Sequence, residues 1–212
     1  MGPVGISGET GWYVPSYVVN GDPERGIEAA APNLRSVADT DQYKSVFATS
    51  DTGTSGRLLE FTPAWDTRPE ERLEAFGIDF QVVFAGYEGA ALAELDAAFQ
   101  RGDPIITYLW EPHWAHAKYD LIPIEMPEWT SDCYPDGERF DCGYPTDPVT
   151  KLIWPGLQEE FPEAYEFLNN FQMTNAQQNE IVLNLTANDL TVRLAAQEWV
   201  DANESVWRAW IP

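Results

Sequence analysis

Two short segments concentrate the residue types that can hold a charged small molecule: Thr62-Pro63-Ala64-Trp65-Asp66-Thr67 and Leu109-Trp110-Glu111-Pro112-His113-Trp114. An indole face attracts a cation, and does so best when the cation is weakly hydrated, as a quaternary ammonium is. A helix N-terminus carries unpaired N–H groups and attracts an anion. The first segment leads into a helix start and the second follows an apolar strand. Ligands in open α/β sheets bind outside the carboxyl ends of the strands, so Trp65 and Trp110 are candidates for one crevice, suited to a small zwitterion such as a betaine. A single tryptophan is more often a core residue; the coupling to proline and to a helix cap is what favours a pocket.

Other chemistry finds little support. His113 and His116 are the only histidines, and a pair three apart without a third ligand makes a poor metal site, so no metal and no cofactor is expected. A carboxylate pair flanked by sugar-stacking tryptophans is conceivable, but no Asp or Glu stands out from the acidic background as buried. No Gly-rich phosphate loop, Gly-x-Ser-x-Gly or Cys/His pairing is present, so no catalytic residue is assigned. Cys133 and Cys142 bracket a turn-rich stretch containing Pro135 and Asp136-Gly137. With no other cysteine to compete, a disulfide is favoured over two free thiols, and it points outside the cytosol.

The charge balance narrows the partners. Thirty-five acids face 12 bases, for a formal charge of −23 over 212 residues. This argues against nucleic acid or anionic lipid. With only three lysines, so acidic a surface fits a salty habitat, the alternative being an ordinary acidic protein.

The elements that must position these residues alternate. Tyr13 to Val19 reads as extended, broken by Pro15, and Leu34 to Phe47 carries a weak helical pattern. Thr67-Arg68-Pro69-Glu70 has the form of a capping box, and Gly77 suits the left-handed stop of that helix. Ile78 to Phe84 alternates as a strand. Glu88 to Gln100 places Ala91, Leu92, Leu95, Ala98 and Phe99 on one helical face. Ile105 to Trp110 is a continuous apolar strand of a sheet covered on both faces, and strand, helix, strand implies a parallel crossover. A loop-rich stretch, 127–148, precedes a short strand from Val149 to Trp154. Three helices follow, the second opened by a capping box at Thr174-Asn-Ala-Gln177.

These patterns resemble the glycine betaine/choline-type substrate-binding proteins of ABC importers. The likeness rests on Thr62-Pro-Ala-Trp65 leading into Glu70-Glu-Arg-Leu-Glu-Ala-Phe-Gly77, on Tyr87-Glu-Gly-Ala90, and on Arg101-Gly-Asp-Pro-Ile-Ile-Thr-Tyr-Leu-Trp110-Glu-Pro-His-Trp114. Phe161-Pro-Glu-Ala-Tyr165, Gln177-Gln-Asn179 and Glu198-Trp-Val200 extend it. The resemblance implies an α/β, periplasmic-binding-protein-like (type II) two-lobe fold, with one complete lobe and the C-terminal part of the other. The expected divisions are a lobe-crossing segment 1–15, a ligand-binding lobe 16–126, a return crossing 127–148 and a mainly helical part 149–212.

It also implies a non-enzymatic, extracytoplasmic receptor, periplasmic or extracellular, that serves permease subunits and closes on a quaternary ammonium solute. Trp65 and Trp110 match cage walls, and the backbone N–H groups of Asp66 and Thr67 match those that hold the ligand carboxylate. Glu88, Trp12 and His113 complete the candidate set. Two departures stand out. The family commonly has glycine where this chain has Asp66, whose charge is expected to disfavour a ligand carboxylate and so favour choline. A further half-lobe that normally comes first has no counterpart, which leaves a second chain as a conceivable partner. The alternatives are a protein that stacks sugars on its tryptophans and an incomplete module that does not bind alone.

Overall fold

The computed structural model describes all of residues 1–212. Its strands are β1 (Pro3–Pro15), β2 (Gly56–Glu60), β3 (Phe80–Phe84), β4 (Ile106–Glu111), β5 (Leu121–Pro123) and β6 (Asp147–Thr150). The chain forms two compact units. One comprises Met1–Glu9, Trp110–Lys118 and Thr146–Pro212, the other Thr10–Leu109 and Tyr119–Pro145.

The larger unit is built on strand order β3-β2-β4-β1-β5. β2 pairs in parallel with β3 on one side and β4 on the other, so the parallel arrangement of β3 and β4 holds with β2 inserted between them. That strand has no clear sequence signature: Arg57 and Glu60 interrupt its apolar run. Arg57 is accommodated by an ion pair of 2.6 Å to Glu94 on the helix Glu88–Arg101. This helix buries Ala91, Leu92, Leu95 and Ala98 of the face its spacing predicts, while Phe99 at that face's end stays half-buried against Tyr17 and Tyr119. β5 closes the edge antiparallel to β1.

Two expectations need correction in this unit. Tyr13 to Val19 is not one extended segment: β1 ends at Pro15 and a helix, Ser16–Asn20, begins at once. Proline removes a ladder donor, and the Ser16 N–H turns to the Asp120 carbonyl. The weak helical pattern of Leu34 to Phe47 corresponds to three contiguous helical turns, Val37–Thr40, Asp41–Tyr43 and Lys44–Phe47. There the Asp41 carboxylate accepts from the Asp79 N–H at 2.8 Å and ties this segment to the residue before β3. Thr67 does not cap the next helix. The N-cap of Pro69–Phe76 is Arg68, with no side-chain cap bond, because the Thr67 hydroxyl donates to Glu60 instead. Gly77 ends this helix at φ 68°, as a left-handed C-cap should.

In the smaller unit, β6 pairs antiparallel with the first residues of β1 across a register shift. Gly5 lies in the shift at φ 94°, where a Cβ would come within 2.6 Å of the Met173 carbonyl oxygen, so only glycine fits. Asn175 binds the backbone of Ser7 at both ends, accepting at 3.0 Å and donating at 2.8 Å. The strand expected over Val149 to Trp154 is shifted to Asp147–Thr150, since Trp154-Pro155 turns the chain toward the helix Leu157–Glu160. Helices Pro162–Asn170, Asn175–Thr186 and Val192–Ala202 follow. Trp199 and Trp210 stack at 5.8 Å among their packing residues.

Thr174 caps the helix Asn175–Thr186 by accepting from the Gln177 N–H at 3.2 Å, and Gln177 reaches back to the Thr174 N–H at 2.9 Å. Thr174→Ala should therefore lower the stability of this unit by about 1 kcal/mol, read as a shift in its urea midpoint. An unchanged midpoint would mean that the cap is redundant with the ties to β1.

Candidate ligand-binding site

β2 delivers the chain into the Trp65 segment. The Thr62 hydroxyl accepts from the Ala64 N–H at 3.3 Å and opens a single 3-10 turn, Pro63–Trp65. Asp66 and Arg68 then both adopt left-handed conformations, φ 53° and 52°. Aspartate tolerates this region better than most residues, and glycine would fit there without cost. Backbone in this region costs energy that the surroundings must recover. They do so through an ion pair of 2.6 Å between Asp66 and Arg68 and a 2.6 Å hydrogen bond from the Tyr134 hydroxyl to Asp66. The Asp66 carboxylate is thus engaged sideways, which weakens the case that it would repel a ligand carboxylate. The Asp66 N–H closes the turn on the Pro63 carbonyl at 3.3 Å, whereas the Thr67 N–H is not taken up by it.

Trp65 keeps 43% of its surface exposed although it packs on other rings. Its indole stacks on Phe61 at 5.4 Å and lies 6.3 Å from Tyr108. Phe61 meets Tyr108 edge-on at 6.0 Å, and Tyr108 meets Tyr144 at 5.8 Å. A partly exposed indole braced by aromatic rings is a pre-formed platform for a cation.

In the same unit, Glu60 and Arg72 are each 1% exposed. Glu60 Oε2 accepts from Thr67 at 3.3 Å while Oε1 has no partner. Burial pushes the Glu60 carboxyl up to about 8. The Glu70 charge adds to this, while the Thr67 hydrogen bond and the Arg72 charge oppose it. Arg72 donates to the carbonyls of Thr67, Cys142 and Gly143 and lies 4.0 Å from the Tyr144 ring centre; burial lowers its pKa. Tyr108 is pushed up to about 12, chiefly by burial. The Tyr144 hydroxyl and the Trp12 indole N–H interact with each other, outside strict hydrogen-bond geometry.

In the smaller unit, Trp110 meets His113 edge-on at 4.8 Å, and His113 lies against Trp114 at 5.5 Å. His113 is 6% exposed and its Nδ1 accepts from the Ala115 N–H at 3.1 Å. That bond places the ring proton on Nε2. His116 Nε2 donates to the Trp110 carbonyl at 3.2 Å. Burial lowers the His116 pKa against the pull of Glu111, 3.8 Å away.

The candidates are thus distributed as follows. Trp65, Asp66 and Thr67 sit together on one loop of the larger unit, and Trp110 and His113 sit together in the smaller one. Trp12 is 1% exposed and packs edge-on against Phe76 at 6.1 Å. Glu88 opens the helix Glu88–Arg101 on the surface, where its charge suits the helix dipole. Cys133 and Cys142 form a disulfide. Sequence reasoning missed Glu60, Phe61, Arg72, Tyr108 and Tyr144. In the case of Glu60, the view that no acid stands out as buried is overturned. The signal available was a carboxylate between Leu59 and Phe61, at the end of an apolar run.

Comparison with known proteins came out consistently. A family profile described as the substrate binding domain of ABC-type glycine betaine transport systems matches residues 1–202. The trimethylamine N-oxide-binding protein of Pelagibacter ubique is 28% identical over 189 residues, which is 87% of this chain and 59% of that protein. The chain therefore spans 59% of the length of this relative. Lactococcal OpuAC, closed on glycine betaine, superposes with a TM-score of 0.57 at 22% identity, over 100% of this chain and 70% of that one. An ABC-transporter choline-binding protein in complex with choline gives 0.52 at 19%, over 98% and 65%. The α/β, periplasmic-binding-protein-like fold expected from the sequence is thereby shown.

Proposed function

The chain belongs to the family of substrate-binding domains of ABC-type glycine betaine transport systems, and from that premise we propose that it binds a small solute with a trimethylated ammonium head. The observation that carries this reading is the half-exposed Trp65 indole, braced by Phe61 and Tyr108. A trimethylammonium group is large, weakly hydrated and unable to donate hydrogen bonds. It gains from an aromatic face what it would lose at a carboxylate cage. The Thr67 N–H is a ready donor to the oxygen of such a ligand. The relatives point to the same head group: trimethylamine N-oxide, glycine betaine and choline differ only in what is attached to it. The engagement of Asp66 by Arg68 and Tyr134 weakens the reason to favour choline over the carboxylate-bearing ligand.

In this reading the chain performs no bond chemistry. It acts outside the cytoplasm and hands its ligand to the membrane subunits of an importer. No helix is long and apolar enough to cross a membrane. The test is a calorimetric titration of the folded chain with trimethylamine N-oxide, glycine betaine and choline, with a neutral oligosaccharide as control. Saturable heat with at least one of the three and none with the sugar is expected. Heat with the sugar alone, or with nothing, would overturn the reading.

A further inference from the structure

The strongest feature not absorbed by this reading is the way the disulfide loop grips the Trp65 segment. The Tyr134 hydroxyl donates to Asp66 at 2.6 Å, and the Arg68 guanidinium, paired with Asp66 at 2.6 Å, lies 5.5 Å from the Tyr134 ring centre. At the loop's other end Arg72 joins the Cys142 and Gly143 carbonyls to that of Thr67. Both left-handed residues of the segment are therefore fastened from a stretch about 70 positions away in the chain.

The loop itself is firmly built. Beyond the Cys133–Cys142 bond, the Tyr134 ring stacks on Phe140 at 5.3 Å and its N–H donates to the Arg139 carbonyl at 2.8 Å. The Trp129 indole N–H donates to the Tyr134 carbonyl at 3.1 Å, and Arg139 pairs with Asp132 and Asp141.

We propose that Tyr134, held by the disulfide-closed loop, is a positioning residue that locks Asp66 in its left-handed conformation and thereby sets the orientation of the Trp65 indole. The proposal rests on Trp65 facing the ligand. The physical reason is selective. An aspartate without a tether samples extended backbone far more readily than the left-handed region, and each change at Asp66 swings the adjacent indole. One hydrogen bond from Tyr134 and one ion pair from Arg68, both made to this carboxylate, choose one of these states. Where glycine stands at this position the left-handed state needs no such help, so Asp66 and Tyr134 form a matched pair.

The test reads backbone amide exchange in the ligand-free protein together with affinity for the ligand panel. Tyr134→Phe keeps the ring and the loop and deletes only the hydroxyl. It should speed exchange at Ala64–Arg68 roughly fivefold, leave β2 and β3 unchanged, and weaken ligand binding by a similar factor. Asp66→Asn, which still accepts from Tyr134 and tolerates the left-handed region, should exchange like the parent. Asp66→Ala should match Tyr134→Phe, and combining these two should add nothing. Reducing the disulfide should loosen the same segment.

Exchange at Ala64–Arg68 within twofold of the parent in Tyr134→Phe would overturn the proposal, as would acceleration spread evenly over the larger unit. If the segment loosens but the parent protein binds none of the three ligands, the positioning role stands and the ligand assignment fails. If the parent binds and Tyr134→Phe changes neither readout, the positioning role fails alone.

Discussion

Trp65→Ala should weaken binding of the trimethylammonium ligand about a hundredfold or more, with little loss of stability. The indole gives the ligand an electron-rich face, worth ~2 kcal/mol when the cation is desolvated, and its apolar contact area adds to that; each tenfold in affinity corresponds to about 1.4 kcal/mol. Because 43% of the residue is exposed in the folded chain, truncation opens no sealed cavity. The melting temperature should therefore stay near that of the parent. Trp65→Phe should retain part of the affinity, since it keeps a smaller aromatic face on Phe61. Equal affinity of parent and Trp65→Ala in the same titration would remove Trp65 from the site.

Glu60→Gln should change how stability depends on pH, and by a large amount. Folding raises this carboxyl from an ordinary value of 4.5 to about 8, with burial as the main cause. Between these two values the folded chain keeps the proton that the unfolded chain releases. Stability therefore falls as pH rises from about 4.5 to about 8, and the penalty is complete above that. At ~1.4 kcal/mol per unit, the burial of this one charge costs a few kcal/mol at high pH. Glutamine has the same shape and never ionises. Parent and variant should be alike near pH 5, with the variant more stable by a few kcal/mol at pH 8.5. The acidic surface repels itself in both proteins, so the difference isolates Glu60. Urea unfolding curves that run parallel from pH 5 to 9 would show that the carboxyl ionises normally.

The local signals were legible where short-range physics decides them. Gly77 sits at a left-handed stop, Thr174 and Gln177 cap each other, and the apolar face of Glu88–Arg101 is buried as its spacing requires. β4 was readable because Ile106 to Leu109 is uniformly buried. β2 was not, because two of its five residues are ionisable. A buried glutamate and an arginine paired across to a helix make sense only once their partners are in place. Thr67 shows the opposite error. Its sequence meets every requirement of a capping box, yet its hydroxyl goes to Glu60, a competitor that sequence spacing does not reveal.

What the sequence by itself determined is the class of molecule, an α/β chain with a charge unsuited to nucleic acid, and the two tryptophan-proline segments from which the proposed quaternary ammonium chemistry is argued. These follow from residue type and from contacts within a few positions. The tertiary structure decided how the Trp65 segment is held, through Tyr134 on Asp66, Arg72 on Thr67 and Glu60 beneath them. Such choices depend on which donors and acceptors are left over once the sheet has formed. No window of sequence contains that information, because the groups that compete for one another lie far apart along the chain.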